Sequence, residues 1–133
     1  MVQKKIKVLI VEDEKSLTKA LSAKLGREGF EVMVAHDGQE GLALASEERP
    51  DVILLDIIMP KMDGLSMIKE LRKMDSYGKR VKVIFLTNLT DDEKIFEATE
   101  SGVYDYLIKS DWKLADLVEK INEKVNMHAK LDK

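Results

Sequence analysis

The sequence predicts an α/β fold of three layers, in which helices cover both faces of a parallel sheet. Five short apolar runs alternate along the chain with stretches whose apolar residues recur at helical spacing. The runs at residues 52–55 and 83–86 contain no polar residue, which is typical of strands buried on both faces of a sheet. An alternating series of strands and helices forms a parallel sheet between two helical layers.

Five strands are predicted where Val, Ile and Leu are concentrated. They span residues 6–11, 32–35, 52–55, 81–86 and 104–108. The connections between elements are short, and no linker, repeat or low-complexity tract interrupts the alternation. We therefore expect a single domain over residues 1–133, with its core at about 5–125 and a short polar tail at 126–133 that frays.

Helices are predicted between the strands by apolar residues that share one helical face. The stripes of the first, second, third and last helices are Leu17, Ala20, Leu21 and Leu25; Leu42 and Ala45; Leu65, Ile68 and Leu71; and Leu114, Leu117, Val118, Ile121 and Val125. A weaker stripe predicts the fourth helix, for which Thr90 and Glu93 form a capping box. We expect Gly29 and Gly102 to end the first and fourth helices, and residues 36–38 to form the turn that starts the second.

The composition disfavours several kinds of protein. Of 133 residues, 44% are hydrophobic, which is enough for one core and unlike a disordered chain. The net charge of −3 disfavours a basic nucleic-acid surface. The lack of Cys and the presence of only two His disfavour zinc, and no apolar run approaches the ~18–20 residues of a membrane span. We expect a cytoplasmic protein without a nucleic-acid or membrane partner.

Polar side chains follow four of the five predicted strands. Glu12 and Asp13 follow the first, Asp56 the third, Thr87 the fourth and Lys109 the fifth. Each alone has an ordinary explanation; for example, Asp13 could cap the first helix and Glu12 could be a solvated loop acid. Because ligands bind at the carboxyl edge of a parallel sheet, the set together predicts one site.

The predicted site has the residue types of a phosphoryl-transfer centre. Carboxylates that lie close together repel one another unless a cation is present, and hard oxygen ligands suit Mg²⁺. Lys109 can pair with a phosphoryl oxygen, and Thr87 can donate a hydrogen bond to it. Asp56 follows the most apolar strand, so we predict that it accepts the phosphoryl group while Glu12 and Asp13 hold the metal.

Four segments of the chain match a known family. They are VLIVEDE (residues 8–14), DIIMPKMDG (56–64), LT (86–87) and DYLIK (105–109). With these segments, the chain resembles the receiver domain of two-component response regulators over about residues 5–125. The resemblance implies a flavodoxin-like fold with a five-stranded parallel sheet in the order 2-1-3-4-5.

The resemblance also implies a signalling function. A histidine kinase or histidine phosphotransfer protein would donate a phosphoryl group to Asp56 in a Mg²⁺-dependent reaction. Glu12, Asp13, Asp56 and the backbone carbonyl of Ile58 would hold the metal. Such a protein is not an enzyme acting on an external substrate, because it only accepts the group and slowly loses it.

A conformational switch is part of the same resemblance. Thr87 and Lys109 would contact the phosphoryl group, and Tyr106 would swing inward when Thr87 is drawn toward it. The surface of the fourth helix, fifth strand and fifth helix would then change and regulate a downstream protein, an output domain or a homodimer. Ser110 follows Lys109 where the family usually has Pro, which leaves the geometry of the Lys109–Ser110 bond open.

Three alternatives stay open at this point. A pseudo-receiver would only dock partners. An aspartyl-phosphate phosphohydrolase would need a second acid at the position of Ile58. A flavodoxin-like cofactor binder would need a phosphate-binding loop of Gly, Ser or Thr after the first strand, where this chain has residues 12–14 (Glu-Asp-Glu).

Overall fold

Five parallel strands form one sheet in the order β2-β1-β3-β4-β5. The computed structural model describes residues 5–57, 59, 61–87, 100, 105–108 and 113–131. The strands are β1 (Lys7–Val11), β2 (Glu31–Ala35), β3 (Val52–Asp56), β4 (Lys82–Thr87) and β5 (Asp105–Ile108). The predicted sheet and its order are confirmed, and every strand begins and ends within one residue of its predicted bounds.

Five helices lie within the described residues. They are α1 (Lys15–Arg27), α2 (Gly38–Glu48), α3 (Gly64–Met74), α4 (Ser76–Arg80) and α5 (Leu114–Leu131). The fourth predicted helix, with Thr90, Glu93 and Gly102, lies outside the described residues. The last helix continues through Leu131, because the tail contains good helix formers such as Met127 and Ala129. Within the described part of the chain, no helix combines the length and apolar composition needed to cross a membrane.

The sheet separates two apolar clusters. Leu9 and Leu55 point to the cluster formed with α2 and α3, whereas Ile10 and Leu54 point to the cluster formed with α1 and α5. All residues of β3 are buried, including Asp56 at its end. This strand therefore has the continuous apolar pattern expected at the centre of a covered parallel sheet.

Helix α1 differs from its predicted stripe at one position. Leu21 and Leu25 are buried as predicted, but Ala20 is exposed and Thr18 is buried instead. Thr18 lies on the same helical face as these leucines, and its hydroxyl donates a hydrogen bond to the Lys15 carbonyl 3.0 Å away. The hydroxyl is thus satisfied within the helix, which permits its burial.

Helix α4 was not predicted, because it is short and depends on contacts made elsewhere in the chain. Asp75 caps it by accepting a hydrogen bond from the Gly78 amide, and this bond together with Arg49 holds the pKa of Asp75 below its usual value. The Tyr77 hydroxyl donates to the Pro50 carbonyl 2.7 Å away. These contacts tie α4 to the end of α2, at the edge of the sheet where the strands begin.

Two methionines of α3 provide a test of how the core is packed. Met67 is fully buried against the α2–α3 face, whereas the side chain of Met74 is 50% exposed. We expect Met67→Ala to lower the free energy of unfolding by about 2–5 kcal/mol, because it leaves a cavity. The matched change Met74→Ala is expected to stay within about 0.5 kcal/mol. Urea denaturation of both variants measures the difference, and equal losses would contradict this packing.

Candidate functional site

Two neighbouring strands bring three acids together at the carboxyl edge of the sheet. Val11 of β1 pairs with Leu55 of β3, so the residues that follow them, Glu12 and Asp56, lie side by side. Asp13 continues the turn after Glu12. One carboxylate oxygen from each of Glu12, Asp13 and Asp56 lies within 4.8 Å of the other two.

The three acids differ in exposure. Glu12 is completely buried, Asp56 is 5% exposed, and Asp13 is exposed to solvent. The Glu14 amide donates a hydrogen bond to Glu12 Oε2 at 3.0 Å, which anchors the Glu12 side chain to the turn that follows it. The cluster thus consists of two buried acids, Glu12 and Asp56, and one solvent-facing acid, Asp13.

Two of the ordinary explanations for these acids are wrong. The residue that caps α1 is Glu14, and no side chain forms a capping hydrogen bond there, so Asp13 is not a helix cap. Glu12 is buried and therefore is not a solvated loop acid. Both residues lie where the prediction of a shared site requires them.

The donor set fits Mg²⁺. All three donors are carboxylate oxygens, the hard ligands that this ion prefers. Ligands at about 2.0–2.1 Å from Mg²⁺ span at most about 4 Å across the ion. The limit of 4.8 Å between one oxygen of each acid and those of the other two is close to that span. A divalent cation would also offset the repulsion between charges of which two are buried.

A glycine holds the start of α3 against the acid-bearing strand. A Cβ at Gly64 would lie 2.2 Å from the Asp56 carbonyl oxygen, a distance that no side chain tolerates. The Gly64 amide donates a hydrogen bond to the Ile57 carbonyl at 2.8 Å, and Asp63 caps the helix by accepting from the Ser66 amide. The Asp-Gly pair at the end of the matched segment 56–64 therefore returns the chain tightly past Asp56.

Sequence reasoning missed the contribution of the turn after β2. His36 Nδ1 lies 3.3 Å from the Glu12 carbonyl oxygen, and the Gly38 amide donates to the Met62 carbonyl at 3.0 Å. The turn supplies no acid to the cluster, so no charge pattern pointed to it. The only available signal was the small residue at position 38.

The remaining predicted site residues are Ile58, Thr87, Tyr106 and Lys109. Thr87 is the last residue of β4 and pairs with Ile108, the last residue of β5. Thr87 and Tyr106 are described through their strands only. Lys109, the next residue after β5, and Ile58 lie outside the described residues. The roles predicted for these four residues stay predictions.

Comparison with known families agrees with this geometry. A sequence model described as the response regulator receiver domain matches residues 8–122. The chain belongs to this family. Receiver domains of response regulators act in two-component systems, so the predicted family is confirmed.

Individual relatives support the same membership. The chain is 44% identical over 105 residues to the "Probable transcriptional regulator ycf27" of Guillardia theta. The match covers 79% of this receiver domain chain but 40% of that relative, so the chain spans about two fifths of its length. A solved Francisella response regulator 1452 receiver domain is 34% identical, with a TM-score of 0.81, over 92% of this chain and 98% of that one.

One solved receiver domain bears on the metal. The receiver domain of the Pseudomonas aeruginosa sensor histidine kinase PA1611 was solved with a magnesium ion coordinated in its active-site cleft. This chain is 29% identical to it, with a TM-score of 0.83, over 92% of its own length and 99% of the other chain.

The acidic cluster predicts a metal-dependent stability. Mg²⁺ at about tenfold over its dissociation constant should raise the free energy of unfolding by about 1.4 kcal/mol. Asp13→Asn should stabilise the metal-free protein, because it removes one of three repelling charges, and should reduce the gain from Mg²⁺. Glu14→Gln, which alters a neighbouring acid outside the cluster, serves as the control. Thermal denaturation with and without Mg²⁺ measures both effects, and an unchanged gain in Asp13→Asn would contradict the assignment.

Proposed function

We propose that this chain is a phosphorylation-dependent signalling switch that accepts a phosphoryl group on Asp56. A histidine kinase or a histidine phosphotransfer protein is the donor. The observation that carries the proposal is the position of Asp56, at the end of the buried strand β3 with its carboxylate within 4.8 Å of those of Glu12 and Asp13. In the transfer, a carboxylate oxygen of Asp56 attacks phosphorus, the bond from phosphorus to the donor imidazole breaks, and the imidazole leaves.

Among the three acids, Asp56 is the best placed acceptor. Its backbone belongs to the fully buried strand β3, and Gly64 packs against its carbonyl oxygen. Glu12 is held by the Glu14 amide, and Asp13 is exposed on a turn. A nucleophile gains most from a backbone that keeps its attacking oxygen in one place.

Glu12, Asp13, Asp56 and the backbone carbonyl of Ile58 are the proposed Mg²⁺ ligands. When bound, the ion supplies positive charge that offsets the repulsion between the acceptor and the incoming phosphoryl oxygens. Glu12, with its side chain anchored by a backbone amide, would fix the inner wall of the site. Asp13, which is solvent-exposed, would close it on the side from which the donor arrives.

The proposed switch uses the last residue of β4 and residues in and after β5. Thr87 donates a hydrogen bond to the phosphoryl group, Lys109 pairs with its charge, and Tyr106 moves into the space that Thr87 leaves. The phosphoryl group adds a charge of about −1.5 to −2, enough to shift the balance between two packings. The face made by the fourth predicted helix, β5 and α5 then changes shape.

This face is the proposed contact for a downstream protein, an output domain or a second copy of the chain. The name of the Guillardia theta relative, a transcriptional regulator more than twice as long as the matched part, supports an output domain as one such target. We further propose that residues 1–133 form one receiver domain with its core at about 5–125. Localisation in the cytoplasm, and the absence of direct nucleic-acid and membrane contacts, stay predictions from the sequence.

Labelling with a small phosphodonor tests the acceptor. With Mg²⁺ and acetyl phosphate, intact-mass spectrometry should show one phosphoryl group on the wild type and none on Asp56→Asn. The matched control is Asp51→Asn, at the other end of β3. The Lys7 amide donates a hydrogen bond to Asp51 Oδ2 at 2.8 Å, and the side-chain oxygen of Asn can accept the same bond. This control should be labelled like the wild type, and chelation of Mg²⁺ should abolish labelling in both.

Two outcomes would count against the acceptor assignment. Equal labelling of Asp56→Asn and the wild type would move the acceptor elsewhere. A wild type that stays unlabelled, with acetyl phosphate and with a phosphorylated histidine phosphotransfer protein, would favour a pseudo-receiver that only docks partners.

Phosphate release distinguishes the switch from a phosphohydrolase. The apolar Ile58 cannot act as the acid or base that positions a hydrolytic water, so the wild type should keep the transferred phosphoryl group and release inorganic phosphate only slowly. Ile58→Asp supplies a carboxylate at that position and should raise the steady-state rate of phosphate release, whereas Ile58→Val should not. An enzyme-coupled phosphate assay at neutral pH measures the rates, because acidic reagents hydrolyse acyl phosphates. Fast multiple turnover by the wild type would favour the hydrolase.

A further inference from the structure

The turn between β2 and α2 contacts both of the chain segments that carry the acids. This turn, residues 35–38, contributes no carboxylate to the cluster of Glu12, Asp13 and Asp56. It follows the second predicted strand, the only one after which the sequence analysis assigned no site residue. Its contacts with the acid-bearing segments nevertheless run through the backbone on both sides.

The first side is the turn after β1. The Glu12 amide donates a hydrogen bond to the Ala35 carbonyl at 3.0 Å, and His36 Nδ1 lies 3.3 Å from the Glu12 carbonyl oxygen. Both polar groups of the Glu12 backbone are thereby in contact with the turn. These two contacts restrain the backbone of Glu12 and therefore the point from which its side chain extends.

The second side is the connection between β3 and α3. The Gly38 amide donates to the Met62 carbonyl at 3.0 Å, and a Cβ at position 38 would lie 2.2 Å from that oxygen. Since a backbone carbonyl cannot give way like a flexible side chain, only glycine allows this approach. Lys61 Nζ lies 3.6 Å from Asp37 Oδ2, which adds an ion pair to the same contact.

A displacement at Met62 would be transmitted to Asp56. Two residues after Met62, Gly64 donates to the Ile57 carbonyl at 2.8 Å and packs against the Asp56 carbonyl oxygen. The path from the turn to the acceptor therefore consists of short backbone contacts rather than of flexible side chains. Such a path keeps the relative positions of two ligand-bearing segments within narrow limits.

We propose that the β2–α2 turn is a positioning bracket for the acidic cluster, and that Gly38 is its central positioning residue for divalent-cation binding. The inference rests on the metal-dependent function proposed above and extends it to a segment without ligands of its own. The register of β1 and β3 brings Glu12 and Asp56 together, and the bracket limits how far the segments that carry them can shift, on which metal affinity depends.

Three glycine variants of the full chain separate this role from ordinary packing. Gly38→Ala disturbs the Met62 carbonyl. The nearest atoms that Gly41→Ala would meet, one turn later in α2, belong to the side chains of Val11 and Met67 at 2.9–3.0 Å. Gly26→Ala in α1 meets nothing within 4 Å. Mg²⁺ affinity measured by calorimetry, thermal stability and amide hydrogen exchange at Gly64 are compared for all three.

The bracket predicts a distinct pattern. Gly38→Ala should weaken Mg²⁺ binding about tenfold, the scale of changes behind metal ligands. It should also speed exchange of the Gly64 amide. Gly41→Ala should lower thermal stability but keep the wild-type affinity at temperatures where it is folded, and Gly26→Ala should leave the affinity unchanged. In the labelling assay, Gly38→Ala should need more Mg²⁺ for half-maximal rate and recover when Mg²⁺ is saturating.

A milder variant covers the case in which Gly38→Ala does not fold. Asp37→Asn keeps the oxygen that accepts from the Glu40 amide at 2.8 Å but loses the ion pair with Lys61, and should weaken Mg²⁺ binding about twofold. Wild-type Mg²⁺ affinity in folded Gly38→Ala, or in Asp37→Asn where Gly38→Ala does not fold, would overturn the proposed positioning role of the turn. A wild type that binds Mg²⁺ but is not labelled would remove the acceptor proposal and leave the bracket standing, because affinity is measured without a phosphodonor.

Discussion

The close approach of three carboxylates is the constraint on which the rest of the site depends. Glu12, Asp13 and Asp56 would separate if their backbones were free, because like charges repel most strongly where water is excluded. They stay within 4.8 Å because β1 and β3 pair in parallel register and are covered on both faces. The sheet therefore preserves an arrangement that the acids themselves disfavour, and this makes the edge receptive to a cation.

The apolar residues of the same two strands offset the energy of holding these acids. An ion withdrawn from water loses several kcal/mol of hydration even after the protein relaxes. Each of the eight apolar side chains of β1 and β3 contributes about 1.5–3 kcal/mol through burial. The core can thus tolerate the buried Glu12 and Asp56. A chain with the same three acids but less apolar strands would have the sequence motif without keeping the carboxylates close together.

The elements that could be predicted are those determined by local patterns. The strands were found because apolar runs are local, and the acids were brought together by a rule of parallel sheets. Helix α4 was missed because it depends on Arg49 and Pro50, which are distant in sequence. The contact of Gly38 with Met62 was missed because the sequence shows a glycine but not the carbonyl that requires it. Non-local backbone contacts leave little trace in a single sequence.

The burial of Asp56 links chemistry at the site to change elsewhere in the fold. Asp56 has 5% of its surface exposed and lies at the carboxyl edge of the sheet, in the same cluster as the exposed Asp13. A phosphoryl group placed there, as proposed, adds about two negative charges in a region of low effective dielectric. Bulk water screens such a charge poorly, so the added charge acts mainly on groups at the neighbouring strand ends. β4 ends beside Asp56, since Asp56 pairs with Leu86, and Thr87, the next residue of β4, is the one to which we assign the response in the proposed switch.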